Sequence, residues 1–556
     1  MLTRRRFLTA SSLAMTGDLL TPSLQGLWAA SSRPSVRRIA LPPRAAAPVT
    51  HFLEPIAEPA AMHALAATAL DAARQAGADW ADVRLGAGRA YQPGGYSSAY
   101  LTYSFGVRVR IGGVEAFVGG GTPTPDRLTQ AARAAVATAK GLAAGATSLV
   151  GNGLTPVPAA TGEWVTPMEM DPFEVSVDEH THVHESLNGA ADVRLAQAGV
   201  QRVWSVTFQA ETRVQASTDG TRITQRLNNA VVIQNFLRRQ PWRLRGPGEQ
   251  LAVPFSGYGS CTGGFEVVAR LNRFDAFEQA AHELRQYESL PGRLVDVGRY
   301  NVVFDGVAHA TILQRVLVFS LSLQRVLWGD ADLGGTSPLR PVSDVLGQQR
   351  FSPLLSLNVV STPPAYGASR WDAEGVEATG GPLIANGTVV NYITSRATHA
   401  RLTKLLASAS GPSSVPPLLG CTSATHASDQ PTELPASVSM PAASNGGTLA
   451  ELAKQLGSGI VARGGEAAVN PDGTGGILYP LMMFEVQGGQ LVRRVFGASL
   501  QFSTKKLFTS LKALGNAGTI GEATTLRFVG FPENRIDTSL TSPAALYNGV
   551  DIITHQ

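Results

Sequence analysis

The apolar positions change period several times along this chain, and each change predicts an element. From Ala60 to Ala76, alanine and leucine recur at helical spacing around Asp71 and Arg74, and Gly77 stands where a left-handed C-cap would end the helix. Asp79-Trp80-Ala81-Asp82-Val83-Arg84-Leu85 then alternates with the period of a strand. Phe105 to Ile111 alternates likewise, Gly112-Gly113 supplies a turn in which positive φ is cheap, and Val114 to Val118 returns in the same period, which predicts a hairpin. Thr124-Pro125-Asp126 opens an alanine-rich helix that runs through Lys140 and stops near Gly141. Residues 141–170 are a connection rich in Gly, Pro and Thr.

After Asp171-Pro172-Phe173, a helix with a solvated start carries Glu179, His180, His182, His184 and Glu185. It leads into long alternating strands from about Val200 to Leu237, turned at Thr218-Asp219-Gly220, and Phe274 to Leu290 reads as helix. From Val302 the chain changes to one long apolar helix, then short strands and glycine turns, loop-heavy between 405 and 447. A chain of 556 residues is longer than one hydrophobic core usually grows. The expected fold is therefore α+β, with an N-terminal mixed α/β domain over 59–295 and a β-rich C-terminal domain over 296–556.

The N-terminus departs from this pattern. Thr3 is followed by Arg4, Arg5, Arg6, Phe7 and Leu8, a mildly apolar stretch interrupted by Gly17 and Asp18, and the small-residue site Trp28-Ala29-Ala30-Ser31. This reads as a twin-arginine signal peptide over 1–30, followed by a Pro/Ala-rich linker over 31–58, and it predicts export of a folded protein to the periplasm. No later window holds the run of about twenty apolar residues that a membrane-spanning helix needs. Charged residues are only 16% and the formal net charge is +4, so there is no clustered basic footprint for nucleic acid. The densest basic cluster, Arg238, Arg239, Arg243 and Arg245 around Trp242, reads as a solvated loop. The two cysteines, Cys261 and Cys421, could pair in an oxidising compartment, but they make neither a disulfide framework nor a C-x-x-C zinc spacing.

Several segments then fall into a familiar order. Ala78 to Arg84, Gly106 to Val109, Asp171-Pro172-Phe173 and Ser217 to Thr221 resemble the N-terminal half of the TldD/PmbA family of peptidase-like proteins. Gly334-Gly335-Thr336-Ser337, Asp372 to Val376, Leu383 to Thr388, Ser395 to Thr398, Gly489-Gln490-Leu491 and Phe496 to Leu500 resemble its C-terminal half. The resemblance implies a helix bearing H-E-x-x-x-H, whose histidines hold zinc while the glutamate acts on a metal-bound water. Counting back from Gly334, that motif falls on Gln314-Arg315-Val316-Leu317-Val318-Phe319. Gln314 and Phe319 replace the histidines and Arg315 the glutamate, a cation where a dication would sit. The family's further ligand, a cysteine near the C-terminus, is also missing, and Glu522 and Asn534 to Ser539 occupy its neighbourhood.

The resemblance is thus to the branch without the zinc motif. It implies no catalytic residue and no cofactor in this chain, zinc only in a partner subunit, and a homo- or heterodimer with a TldD-like subunit around a peptide substrate. Tyr103, Phe105 and Val316 to Leu323 would be packing residues. Other candidates are weaker. His309 lies five positions before Gln314 without a companion ligand, and His180 with His184 shares a helix face as an i, i+4 pair and is a weak metal candidate. Cys421 with His426, and Gly257 to Cys261, lack the context of a nucleophile. A hydrolase with a rebuilt site using Asp330, Asp332 or the His180/His184 pair, and a stand-alone periplasmic binding module, remain the alternatives.

Overall fold

The alternation at 79–85 and 105–118 does form strands, longer than the pattern suggested and joined in one large sheet. The computed structural model describes residues 34–93, 98–145, 153–186, 201–239, 250–253, 260–267, 282–283, 285–287, 289–329, 335–408, 414–529 and 534–554. The leader lies outside these residues, as does most of the helix expected over Phe274 to Leu290. The N-terminal sheet comprises β1 (Ser35–Ala40), β2 (Trp80–Gln92), β3 (Ser98–Ile111), β4 (Val114–Gly120), β5 (Thr161–Val165), β6 (Gln201–Ser217), β7 (Arg222–Arg239), β8 (Gln250–Val253) and β9 (Ser260–Thr262). Its order is β1-β3-β2-β6-β7-β5, with β4 on β3 and both β8 and β9 on β7.

Two helices, α1 (Pro59–Ala76) and α2 (Pro125–Gly145), cover one face of this sheet. Ala66, Ala69 and Ala73 of α1 and Leu128, Ala132 and Ala135 of α2 pack on Ala81, Val83, Leu85, Val107 and Val214. Alanine at those positions lets the helices lie close to the sheet. Gly77 ends α1 at φ 93°, the left-handed conformation its position calls for. The linker expected over 31–58 is corrected: Ser35 to Ala40 pairs antiparallel with Ser98 to Tyr103, and Leu41 and Val49 are buried beside Tyr91, Phe173 and Phe208. Pro and Ala suggest a tether by composition, but burying Ile39, Leu41 and Val49 outweighs that tendency.

The C-terminal half is built on a ten-stranded sheet with a six-stranded sheet beside it, counted among the described residues. At their junction runs α3 (Gly306–Leu313), a π-helical turn over Gln314–Val318, and α4 (Leu323–Trp328). One unbroken apolar helix was expected here. Ser322 instead accepts a hydrogen bond from Arg325 N and caps a new helix, while Leu323 N bonds to Ile393 O. His309 of α3 is fully buried. Its Nδ1 donates to Pro543 O at 2.9 Å, and because burial keeps the ring neutral its Nε2 accepts from the Tyr547 hydroxyl at 2.7 Å.

Each half therefore has its own apolar core, and the seam between them is polar. The sheet face opposite α1 and α2 carries Asp82, Arg84, Arg108, Arg213 and Gln215, residues that read as solvent-facing by alternation alone. The C-terminal half buries them. Arg108 bonds to Asp82 Oδ2 at 3.1 Å and to Glu374 Oε1 at 2.6 Å, and Arg84 Nη2 donates to Asp429 O at 2.5 Å. Glu374 Oε2 accepts from Arg396 N at 2.6 Å, and Arg396 reaches Asp219 at 3.1 Å. The Trp80 ring lies under both guanidinium groups, 5.0 Å from that of Arg108 and 5.6 Å from that of Arg396.

Two predictions follow from this packing. A Cβ at Gly119 would fall 2.1 Å from Ser428 O, whereas one at Gly112, at φ +57°, meets nothing within 4 Å. Gly119→Ala should cost about 1–3 kcal/mol in urea unfolding by forcing the seam apart, and Gly112→Ala only about 1 kcal/mol of backbone strain. Equal losses would contradict the close seam. Burial holds His309 down to about 4. The unfolded chain takes up a proton below about 6.5 that the native ring refuses, so this contribution is present above that pH and is lost as pH falls toward 4. Asp372 and Glu522, pushed up to about 6 and about 7, act in the opposite sense, so the test is a difference. The stability gap between wild type and His309→Gln should shrink by roughly 2–3 kcal/mol between pH 7 and pH 4.5; a constant gap would refute the buried neutral ring.

Candidate functional site

The α3–π–α4 segment is positioned by burial and by one cap. Asp305 accepts from Ala308 N at 2.8 Å, and Ile312, Leu313, Val316, Leu317 and Phe319 are buried in the larger core. In an α-helix a spacing of five residues is about 1.4 turns, which would turn positions 314 and 319 toward different faces. The π-helical turn over Gln314–Val318 changes this, because its i→i+5 closure brings position 319 back beneath position 314. The backbone geometry that an H-x-x-x-x-H pair needs is therefore present without the histidines.

At these positions stand an amide, a guanidinium and a phenyl ring. Gln314 Nε2 donates to Thr538 O at 2.9 Å and to Thr538 Oγ1 at 2.7 Å. Phe319 is buried. Arg315 is half-buried; loss of solvent lowers its pKa and Glu466 acts against that. The helix position and the C-terminal segment named from the resemblance thus do meet in space. Thr538 lies on the strand Asn534–Ser542, paired with Gly521–Val529, which carries Glu522. Glu522 Oε1 accepts from Ser539 Oγ at 2.5 Å, Thr524 Oγ1 at 3.2 Å and Ser260 N at 3.4 Å. Burial nevertheless pushes its carboxyl up to about 7.

Zinc would need imidazole, thiolate or carboxylate donors in tetrahedral array. The Gln314 amide is already committed to Thr538, Arg315 is cationic and Phe319 has no donor atom, so this set does not fit zinc. No group of three or more His, Cys, Asp or Glu is placed to hold a metal among the described residues.

The other sequence candidates scatter. His180 is not at a solvated helix start: its Nε2 donates to Pro172 O at 2.6 Å, and Tyr91, Phe208 and Phe265 enclose the ring at 4.7 to 5.2 Å. Burial holds it down to about 4. His184, one turn on, is half-buried. The shared face that suggested a metal pair is the face turned to the core, which commits His180 to packing. Cys261 and Cys421 form no disulfide with each other, and burial pushes the Cys421 thiol well up, away from nucleophilic thiolate. His426 sits apart from it in a cleft at the seam. Asp330 and Asp332 lie outside the described residues, as do Arg243 and Arg245, while Arg238 and Arg239 of the same basic cluster end β7, paired with β8, where a loop was expected.

The sequence pattern assigned no role to Asp372 and Glu374, which the structure brings to the centre of the molecule. Asp372 accepts from Glu374 N, Val376 N, Thr422 N and Thr422 Oγ1, yet burial and the neighbouring Glu374 raise it to about 6. The available signals were the resemblance carried by Asp372 to Val376 and the two carboxylates beside Gly375.

Residues 297–554 match the profile of the PmbA/TldA metallopeptidase C-terminal domain. Among solved structures, a candidate modulator of a DNA gyrase from Thermotoga maritima shares 15% identity, with a TM-score of 0.62 over 88% of this chain and 100% of that one. TldE from Thermococcus kodakarensis shares 13%, with a TM-score of 0.62 over 88% of this chain and 99% of its own. A further candidate gyrase modulator, from Bacteroides thetaiotaomicron, shares 14% at a TM-score of 0.62, covering 88% and 98%. No curated protein matches the chain significantly. Identities this low show the fold, and the profile identifies the C-terminal part: residues 297–554 are a PmbA/TldA metallopeptidase-like C-terminal domain, in a chain that shares its fold with TldE and the two candidate gyrase modulators.

Proposed function

We propose that the chain is an exported, non-catalytic TldD/PmbA-family subunit that pairs with a zinc-bearing relative and helps enclose its peptide substrate. The observation that carries this reading is Gln314, whose amide is tied to the backbone and hydroxyl of Thr538 where the family places its first metal ligand. Arg315 and Phe319 support it, since neither can act on a metal-bound water. The Arg4-Arg5-Arg6-Phe7-Leu8 leader supports export, and folded export allows a partner assembled in the cytoplasm to travel in the same complex. No helix among the described residues is long and apolar enough to cross a membrane.

One observation favours a second reading, a hydrolase with a rebuilt site. Glu522 is a carboxyl near neutrality beside the altered motif, the range in which a general base works best. In that case Glu522→Gln should abolish peptide cleavage by the isolated chain and remove a pH–rate limb near 7.

The tests separate the two readings. Purified alone, the chain should hold far less than one equivalent of zinc after dialysis and leave unstructured peptides intact. Co-expressed with an H-E-x-x-x-H relative it should co-purify, and the complex should cleave them. A strict monomer that retains one metal and cleaves peptides would overturn the proposal. The Gln314→His, Phe319→His double variant should still bind zinc weakly in a competition titration, because two imidazoles fall short of the three protein ligands a catalytic zinc requires.

A further inference from the structure

A cleft of about 280 Å³ opens at the seam, between the polar face of β2, β6 and β7 and the C-terminal loops around 366–373 and 422–426. The altered motif is not part of its lining, and neither is Glu522. Two features set its chemistry. The first is an ion pair on its floor: Arg213 Nη2 meets Glu211 Oε2 at 2.6 Å, with 13% and 19% of the two side chains left exposed. Gly86 keeps the carboxylate low across the bare strand, since a Cβ there would fall 2.4 Å from Glu211 Oε1. The second is a set of uncommitted polar groups. The His426 ring and the Gln209 carboxamide, both in the lining, bond to nothing among the described residues, and Arg213 Nε is buried without a partner.

We infer that this cleft binds a free amino acid or a zwitterion of similar size. Of the other charged groups in the lining, Arg89 is paired with Asp171 and Asp372 is bonded to Thr422, so the Arg213–Glu211 pair sets the preference, for a ligand whose own charges run in the opposite sense. Arg213, with His426 at the mouth, takes a carboxylate, and Glu211 takes an ammonium group. Charge-assisted bonds of this kind are the strong ones, and Arg is suited to a carboxylate. Purely anionic ligands meet Glu211 and purely cationic ones meet Arg213, so either is disfavoured. A sugar would want an exposed aromatic platform, but Trp371 is only 4% exposed and its backbone is held on both sides by Gln225. The volume lies just below the roughly 300–1,000 Å³ of pockets for drug-sized ligands, which suits a smaller molecule and excludes a folded partner. The site belongs to this chain alone and needs no paired subunit.

Isothermal titration of the isolated full chain with each common L-amino acid tests this. At least one should saturate a single site per chain, and its N-acetyl amide, stripped of both charges, should bind at least about tenfold more weakly. Arg213→Gln should lose affinity to a similar extent. Because Arg213 also bonds to Thr425 O across the seam, Gln209→Ala serves as the second variant: it breaks no bond among described residues and should weaken binding several-fold with an unchanged melting curve. The inference fails if no amino acid binds the folded chain, if the blocked derivative binds equally well, or if maltose or inorganic phosphate binds with equal affinity. Each outcome is independent of zinc content and of co-purification, so the assembly proposed above can stand or fall separately.

Discussion

The placement of the two halves depends on Arg108. Its guanidinium sits on the inner face of the N-terminal sheet, bonded to Asp82 of the neighbouring strand and to Glu374 of the other half, with almost no solvent contact. Burial alone would lower its pKa, but Glu115, Glu374 and Asp82 outweigh this and raise it, so the side chain is firmly cationic. Such a pair adds little net stability over an apolar contact, yet removing one partner leaves an uncompensated buried charge at a cost of about 3–5 kcal/mol. Its effect is specificity. With an apolar core in each half and few apolar contacts between them, charge and hydrogen-bond complementarity decide which surface docks on which, and in what register.

The short segments that carry the family resemblance converge on this seam. Asp82, Arg108, Asp219, Glu374 and Arg396 come from five of them, and they form one connected network of ion pairs and hydrogen bonds around Trp80. The resemblance thus follows the joint between the halves as well as the altered motif.

Local structure was legible where local chemistry decides it. The α1 C-cap at Gly77, the Gly112-Gly113 hairpin and the turn before β7 follow from backbone rules, and all three are where the pattern puts them. What alternation cannot say is what covers each face. Asp82 and Arg84 look like solvent positions on a half-buried strand, and Glu374, the residue that neutralises Arg108, is 266 positions away. The same limit applies to His180: Asp178, Glu179 and His182 around it are exposed, while its own ring joins an aromatic core. Composition misled at 35–53, where a few buried aliphatic residues hold a Pro-rich segment to the sheet.

The resemblance sets Gln314, Arg315 and Phe319 against the zinc motif, but the contacts these residues make could not be read from the sequence. In a zinc-bearing relative, as the resemblance implies, metal would link the motif helix to a cysteine near the C-terminus and so tie two distant elements together. Here the Gln314 amide makes the corresponding link, through two hydrogen bonds to Thr538. The π-helical turn and the buried Phe319 lie in the same segment, so the helix holds its contact with the C-terminal strand through packing and these two bonds. Hydrogen bonds of this kind contribute about 1 kcal/mol each, far less than a structural metal site. The surrounding apolar core must therefore carry the fold, and it can: Ile312, Leu313, Val316, Leu317 and Leu540 are all at most 1% exposed. The scaffold is thus held by packing, and the side chains at 314, 315 and 319 can vary without unfolding the chain.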